Sequence, residues 1–194
     1  MPVLRPEFFD RPTLQVARAL LGARLVRRLD GQRAGGIIVE AEAYVGEEDL
    51  ACHARAGQTP RTRVMYGPPG RAYVYFTYGM HWLLNAVTER EGFPAAVLIR
   101  AIVAHEGEEG IAERRAGVPP ARWTDGPAKL CRALAIDGRL NGCDLTDPHG
   151  PLWIESGVTV PDALVQSGPR VGLGSTPEPW LSLPWRFRVN ASMV

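Results

Sequence analysis

The sequence predicts a mixed α+β fold: a single domain over residues 1–194, built on a curved, mostly antiparallel sheet with surrounding helices. Three observations lead there. A chain of 194 residues fits one domain of ordinary size. Strand-like stretches come in runs instead of alternating with helices, which favours antiparallel pairing. The 21 Gly and 17 Pro supply more turns than a helical bundle uses.

Taken in order, Asp10-Arg11-Pro12 opens a helix with Leu14, Ala17 and Leu21 at helical spacing and Gly22 as its stop. Arg24 to Leu29 and Gly35 to Tyr44 read as strands around an Asp30-Gly31 turn. Gly46 breaks the second strand, and Glu47 to Ala54 is expected to be a short helix with acidic residues in its first turn. A loop rich in Gly, Pro and Arg runs from Ala56 to Gly70. Arg71 to Tyr78 then alternates as a strand, with Tyr73, Tyr75 and Thr77 on one face. Trp82 to Thr88 and Ala95 to Val103 are apolar strands, and Glu106 to Ala116 has helical composition. Asp125-Gly126-Pro127 opens another helix, with Pro at a favourable first position and Leu130 and Leu134 on its buried side. After an Asn141-Gly142 turn, Leu152 to Glu155, Arg170 to Leu173 and Trp185 to Val189 complete the expected strands.

Composition narrows the function classes. The chain is 45% hydrophobic and 22% charged, a globular balance. A net charge of +1 gives no global nucleic-acid signature, so local clusters must decide. Lys129 is the single lysine, so Schiff-base chemistry through a side chain has one candidate. Cys52, Cys131 and Cys143 lack CxxC spacing, which argues against a disulfide framework or a four-cysteine metal site, and His105 and His149 lack ligand spacing, so no metal is expected. No cofactor is expected. Met1 to Asp10 is not an apolar leader, and Ala95 to Ala104 is too short to span a bilayer. The chain therefore reads as cytoplasmic, nucleoid-associated in a bacterium, with no membrane contact and no obligate protein partner.

The stretch Ile37 to His53, IIVEAEAYVGEEDLACH, carries the chemistry. Alternation puts Ile37, Val39, Ala41 and Ala43 on an apolar face and Glu40, Glu42 and Tyr44 on the other. Carboxylates and a phenol in a row can line a pocket for a flat ligand and position a water; a half-buried polar edge would show the same pattern. Metal-free hydrolysis needs a carboxylate or His to deprotonate water, and Glu42 with His53 could supply it. Tyr75 and Arg100 offer matching types on other strands. An Arg inside Leu98 to Ile102 must find an anion, either in a ligand or in Glu40 or Glu42.

Arg55, Arg61, Arg63 and Arg71 surround the Gly/Pro loop, with Tyr66, Tyr73 and Tyr75 interleaved. Arginines beside aromatics suit phosphates and stacked bases, although a solvated loop beside a Tyr-rich strand is the plain alternative. Tyr78-Gly79-Met80-His81 could form a protruding wedge or an ordinary turn. Lys129, in the first turn of its helix, is placed for an anion.

Together these stretches resemble the alkyladenine (3-methyladenine) DNA glycosylase family. The matching segments are IIVEAEAYVGEEDLACHARAGQTPRTRVMY, GRAYVYFTYGMHWLLN, AVLIRA, DGPAKLCRALAI and RVGLG, in order from about Leu14 to Val189. The resemblance implies a monofunctional glycosylase acting on double-stranded DNA that contains damaged purines. It would flip an alkylated purine of the 3-methyladenine or 7-methylguanine type and hydrolyse its N-glycosidic bond, initiating base excision repair. By position, Glu42 would be the general base; Tyr44, His53 and Tyr75 would stack the base. Asn85 would crowd a purine 2-amino group, and Arg100 would contact the flipped nucleotide's backbone. Tyr78 would fill the gap in the duplex, with Met80 beside it, and Arg61, Arg63 and Lys129 would serve the DNA. His81 departs from the Tyr or Phe expected after the wedge.

Two rivals remain at this level. A glycosylase/lyase could use the Pro2 amine once Met1 is removed, but Val3-Leu4-Arg5 lacks the acidic residue such enzymes place next. A non-catalytic damaged-DNA-binding module would have no need of Glu42.

Overall fold

The computed structural model describes residues 1–193; Val194, the last residue of the expected domain, lies outside them. Four α-helices, α1 (Pro6–Phe9), α2 (Thr13–Ala19), α3 (Glu108–Arg114) and α4 (Pro127–Ala133), accompany one sheet. Its strands are β1 (Arg24–Leu29), β2 (Gln32–Val45), β3 (Ala72–Thr77), β4 (His81–Val87), β5 (Ala95–Glu106), β6 (Leu152–Glu155), β7 (Gln166–Gly168) and β8 (Arg186–Arg188). All pairings are antiparallel, in the order β3-β4-β5-β2-β1-β6, with β8 joining β2 to β7. The fold is α+β.

The fourteen-residue β2 is the axis of the sheet. One side pairs with β5 along its length; the other pairs first with β1, then with β8 at Glu40 to Glu42. Gly35 and Gly36 permit the close approach of its neighbours: a Cβ on Gly36 would sit 2.0 Å from the Val103 carbonyl oxygen.

Strict alternation fails at one place on β2. Ile38 pairs with Ile102 and Glu40 with Ala101, so Val39 is an extra residue; Ala41 then pairs with Ile99, skipping Arg100. The bulge lets Ile38 and Val39 both pack in the main core, and Ile37 does not share the face of Ala41 and Ala43. Beyond the bulge the expected alternation holds, with Ala41 and Ala43 in the core and Glu42 and Tyr44 on the other face.

That core joins Leu20, Ile38, Leu84, Ile99, Leu130 and Leu134, all fully buried, between α2, α4 and one face of the sheet. Each such side chain contributes roughly 1.5–3 kcal/mol through its burial. On the opposite face Cys52, Ala54, Met65, Tyr73, Val87 and Ala96 form a smaller cluster, against which Tyr44 and Tyr75 pack.

Two expected elements are corrected. Glu47 to Ala54 is not a helix: turns and a bend run to Cys52, and a 3-10 turn over His53–Ala56 follows. The Asp49 carboxylate accepts the backbone N–H of Ala51 inside the segment and that of Val45 at the end of β2, local bonds that compete with a helical ladder. Arg170 to Leu173 is a loop rather than a strand, because the Val171 N–H goes to a carboxylate and not to a neighbouring chain. The short α1, with Pro6 in its first turn and Phe9 buried, and the short β7 were outside the expectation.

Candidate active site

The smaller cluster floors a pocket of about 430 Å³. Four strands and the connections around them build its wall: Tyr44 from β2, Tyr73 and Tyr75 from β3, Leu83 and Asn85 from β4, Leu98 and Arg100 from β5. His53 and Met65 come from the loop before β3, Pro127 and Ala128 from the start of α4, and Val171 to Leu173 from the C-terminal loop. The volume falls in the range of small-molecule sites.

Glu42 lies directly beneath this wall, fully buried, and its bonds define the floor. Its Oε1 accepts the Val171 N–H at 2.7 Å. Its Oε2 accepts the Tyr44 hydroxyl at 2.9 Å and Arg100 Nη1 at 3.2 Å. A carboxylate offers about four lone-pair sites, so with three donors on it Glu42 keeps one acceptor position, on Oε1. Burial pushes the Glu42 carboxyl above its ordinary range, opposed first by Arg100 and then by the Val171 N–H and the Tyr44 hydroxyl. A carboxylate tuned this way is more basic than one in water yet is held next to a cation.

Arg100 finds its anions within the chain. Its Nε donates to Glu40 Oε1 at 2.8 Å while Nη1 reaches Glu42, and both carboxylates raise its pKa against the effect of burial. Arg100 also lines the pocket, so it belongs to both the ion-pair network and the wall. Glu40, which the sequence reading offered with Glu42 as a partner for Arg100, is the second half of that network and is shared with Arg186 at 3.5 Å.

In the aromatic wall His53 packs edge to face on Tyr73 and Tyr75. The His53 ring stands at 75° to Tyr75 with centroids 4.5 Å apart, and His53 Nδ1 is 2.9 Å from the Tyr73 hydroxyl. Burial, reinforced by Arg61 and Arg55, depresses the His53 pKa to about 4, so the imidazole is neutral at physiological pH. Burial raises Tyr75 and Tyr73, and lifts Tyr44 well above its ordinary value, so all three phenols stay protonated. Asn85 is buried on the wall, its Nδ2 donating to the Tyr73 carbonyl at 3.0 Å.

At the mouth, β3 and β4 are joined by the turn Thr77–Tyr78–Gly79–Met80, closed by the Met80 N–H on the Thr77 carbonyl at 3.2 Å. Tyr78 adopts φ +52° and is 79% exposed, and Met80 is 68% exposed. Holding a non-glycine residue in the left-handed region costs about 1–2 kcal/mol, a strain this tip carries while presenting a large ring to solvent.

The structure thus brings Tyr44, His53, Tyr75, Tyr78, Asn85 and Arg100 to one pocket with Glu42 beneath it. Arg61 is exposed, its guanidinium 5.1 Å from the centre of the Tyr75 ring. Lys129 lies two residues beyond Pro127 on the rim and pairs with Asp125 at 2.7 Å. Arg63 is exposed and Met80 stands at the tip; neither lines the pocket. Sequence reasoning assigned no role to Val171, Arg170 or Asp49, and offered Tyr73 only as one of the aromatics beside the arginine loop. RVGLG was visible as a segment, but nothing in its pattern shows that a backbone N–H inside it meets Glu42.

Comparison with known proteins agrees over almost the whole chain. Residues 7–193 match the model of the family described as methylpurine-DNA glycosylase. A protein of Methanocella arvoryzae is 51% identical over 191 residues, covering 96% of this chain and 92% of its own length. One from Myxococcus xanthus is 47% identical over 189 residues, covering 97% and 91%. One from Chlorobaculum parvum is 44% identical over 193 residues, covering 99% and 90%. All three bear the provisional name 3-methyladenine DNA glycosylase. The match runs through every strand that lines the pocket, and the chain belongs to the methylpurine-DNA glycosylase family.

Proposed function

We propose that the protein is a monofunctional DNA glycosylase that flips alkylated purines out of duplex DNA and hydrolyses their N-glycosidic bond. One observation carries the reading most directly: a buried, pKa-raised carboxylate with a free acceptor site lies under a pocket of protonated phenols and a neutral imidazole.

The chemistry follows from those groups. N3- or N7-alkylated purines are cationic, and electron-rich ring faces such as those of Tyr44 and Tyr75 attract cations. The N-glycosidic bond breaks with its electron pair going to the base, which leaves as a neutral molecule and needs little acid catalysis. Positive charge builds on the sugar, and the Glu42 carboxylate steadies it. A water on Oε1 loses its proton to Glu42 as its oxygen bonds to the sugar's anomeric carbon. Asn85, fixed by Tyr73, narrows the wall against a purine 2-amino group. Tyr78 fills the place of the flipped nucleotide, with Met80 alongside. Arg61, Arg63 and Lys129 meet the phosphates.

The lyase alternative loses ground in this fold. The Pro2 carbonyl accepts the Ser156 N–H and Val3 bridges to Glu155, so the N-terminal segment lies along β6, at the far end of the sheet from β3. The deciding experiment compares base release from methylated duplex DNA by wild type and Glu42→Gln. Release by wild type, its loss in the variant and unchanged duplex binding support the proposal. Equal release by both removes Glu42 from the mechanism; strand nicking without alkali or heat restores the lyase reading.

A further inference from the structure

Behind the pocket, Arg170 and Asp49 form an ion pair in which both side chains are completely buried. The guanidinium fork donates to both carboxylate oxygens, at 2.5 and 2.9 Å, and also to the carbonyls of Ala43 at 2.9 Å and Trp180 at 3.2 Å. Its centre lies 4.7 Å from the Tyr44 ring and 4.9 Å from that of Trp185. Asp49 meanwhile holds the N–H groups of Val45 and Ala51 in the turn that leads to His53. One side-chain pair therefore fastens together the end of β2, the acidic turn and the C-terminal loop.

The residue after Arg170 is Val171, whose N–H is the donor to Glu42 Oε1. Ala43, bound by the same guanidinium, is the residue after Glu42. A planar, bidentate fork fixes angle as well as distance, and here it does so one residue away from each partner of the Val171–Glu42 bond. Stability alone is a weak reason for such a pair, because well-packed apolar residues often serve a core as well as a buried ion pair does.

We propose that the Arg170–Asp49 pair is a positioning device for Glu42, acting through the Val171 N–H to hold Oε1 toward the reacting water. The inference rests on the glycosylase reading above. Glu42 is faced by Glu40 and Tyr44 from β2, Arg100 from β5, Arg186 opposite it on β8, Tyr75 from β3 and the Val171 N–H with Arg170 behind it. Among the described residues, Val171 supplies the one hydrogen bond to Oε1. Loosening it frees that oxygen to rotate and raises the carboxyl's proton affinity.

Two variants test this. Asp49→Leu/Arg170→Met removes both charges together, so neither is left buried alone. A backbone amide-to-ester replacement at Val171 deletes the N–H and keeps every side chain. In both, single-turnover base release is expected to fall about tenfold to a hundredfold, the loss of one hydrogen bond to a charged group. The acid limb of the rate profile is expected to move up by about one pH unit, with duplex affinity unchanged. A folded variant of either kind with wild-type rate and wild-type acid limb overturns the proposal, and the ester variant decides if the double variant does not fold. Absence of base release by wild type would sink the glycosylase reading instead, and its persistence in Glu42→Gln would remove Glu42 from the mechanism.

Discussion

The Tyr44 hydroxyl donates to Glu42 Oε2 across 2.9 Å, from a side chain on the same strand face two residues away. A ring that walls the pocket is thereby also a ligand of the carboxylate beneath it. Burial and the adjacent carboxylate keep the phenol protonated, so it can only donate in that contact.

Tyr44→Phe separates the two tasks. The ring stays and the donor goes, so Glu42 loses one of the groups that hold its proton affinity down. Single-turnover base release is expected to drop about tenfold, with little change in affinity for substrate duplex. The acid limb of the rate profile should move to higher pH. A variant with a lower rate but an unmoved limb would show that the hydroxyl acts elsewhere.

Much of this arrangement was legible in the sequence because it is local. The period of two put Glu42 with Tyr44, and Tyr73 with Tyr75, before any contact was known. Tyr78 and Gly79 in succession marked a turn between two strands. The bulge at Val39 was not legible, since an extra residue changes no composition and moves only Ile37 off its expected face. The acidic turn was misread because helix propensity ignores what Asp49 does with its two oxygens, which accept two backbone donors and Arg170. Val171 is harder still: its contribution is a backbone N–H, identical in every residue but proline, delivered by a loop 129 positions away in the chain.

Arg100→Met is expected to destabilise the protein by about 3–5 kcal/mol at neutral pH, because it leaves the buried Glu42 without its cation and Glu40 with Arg186 alone. Urea denaturation measures this. The pH dependence has a definite sign. The folded-state pKa of Glu42 is already raised above its ordinary 4.5. Its protonated form thus favours the fold, a contribution complete below the unfolded value and lost as pH rises through the folded one. Without Arg100 the folded value rises further, so the deficit should be greatest at pH 7 and shrink on acidification. A deficit constant from pH 7 to 5 would mean that the loss is one of packing.

His53 should shape the acid side of the wild-type stability curve. Its pKa falls from 6.5 to about 4 in the fold, with burial the largest cause. A depressed folded value means that the stabilisation is present above pH 6.5 and lost as pH falls toward 4. The loss should amount to a few kcal/mol at most, on the order of what such a shift carries. His53→Gln is expected to flatten the stability profile across that window. A ring proton resonance of His53 that titrates near pH 6.5 would contradict the burial argument.

Tyr78→Gly sets stability against function at the exposed tip. Tyr78 holds φ +52° with its ring in solvent, so glycine removes left-handed strain of about 1–2 kcal/mol and loses little packing. Part of that gain is offset by the greater freedom of glycine in the unfolded chain, roughly 0.5–1 kcal/mol. The variant should therefore melt at the same temperature as wild type or slightly above it. On the proposed function, base release from duplex DNA should nevertheless fall about tenfold, because no side chain would then occupy the gap that flipping leaves, a step that costs a few kcal/mol. Release from single-stranded methylated DNA, where no stack must be opened, should be nearly unaffected. An equal loss on both substrates would assign Tyr78 to the pocket wall, which it also lines, and not to the duplex.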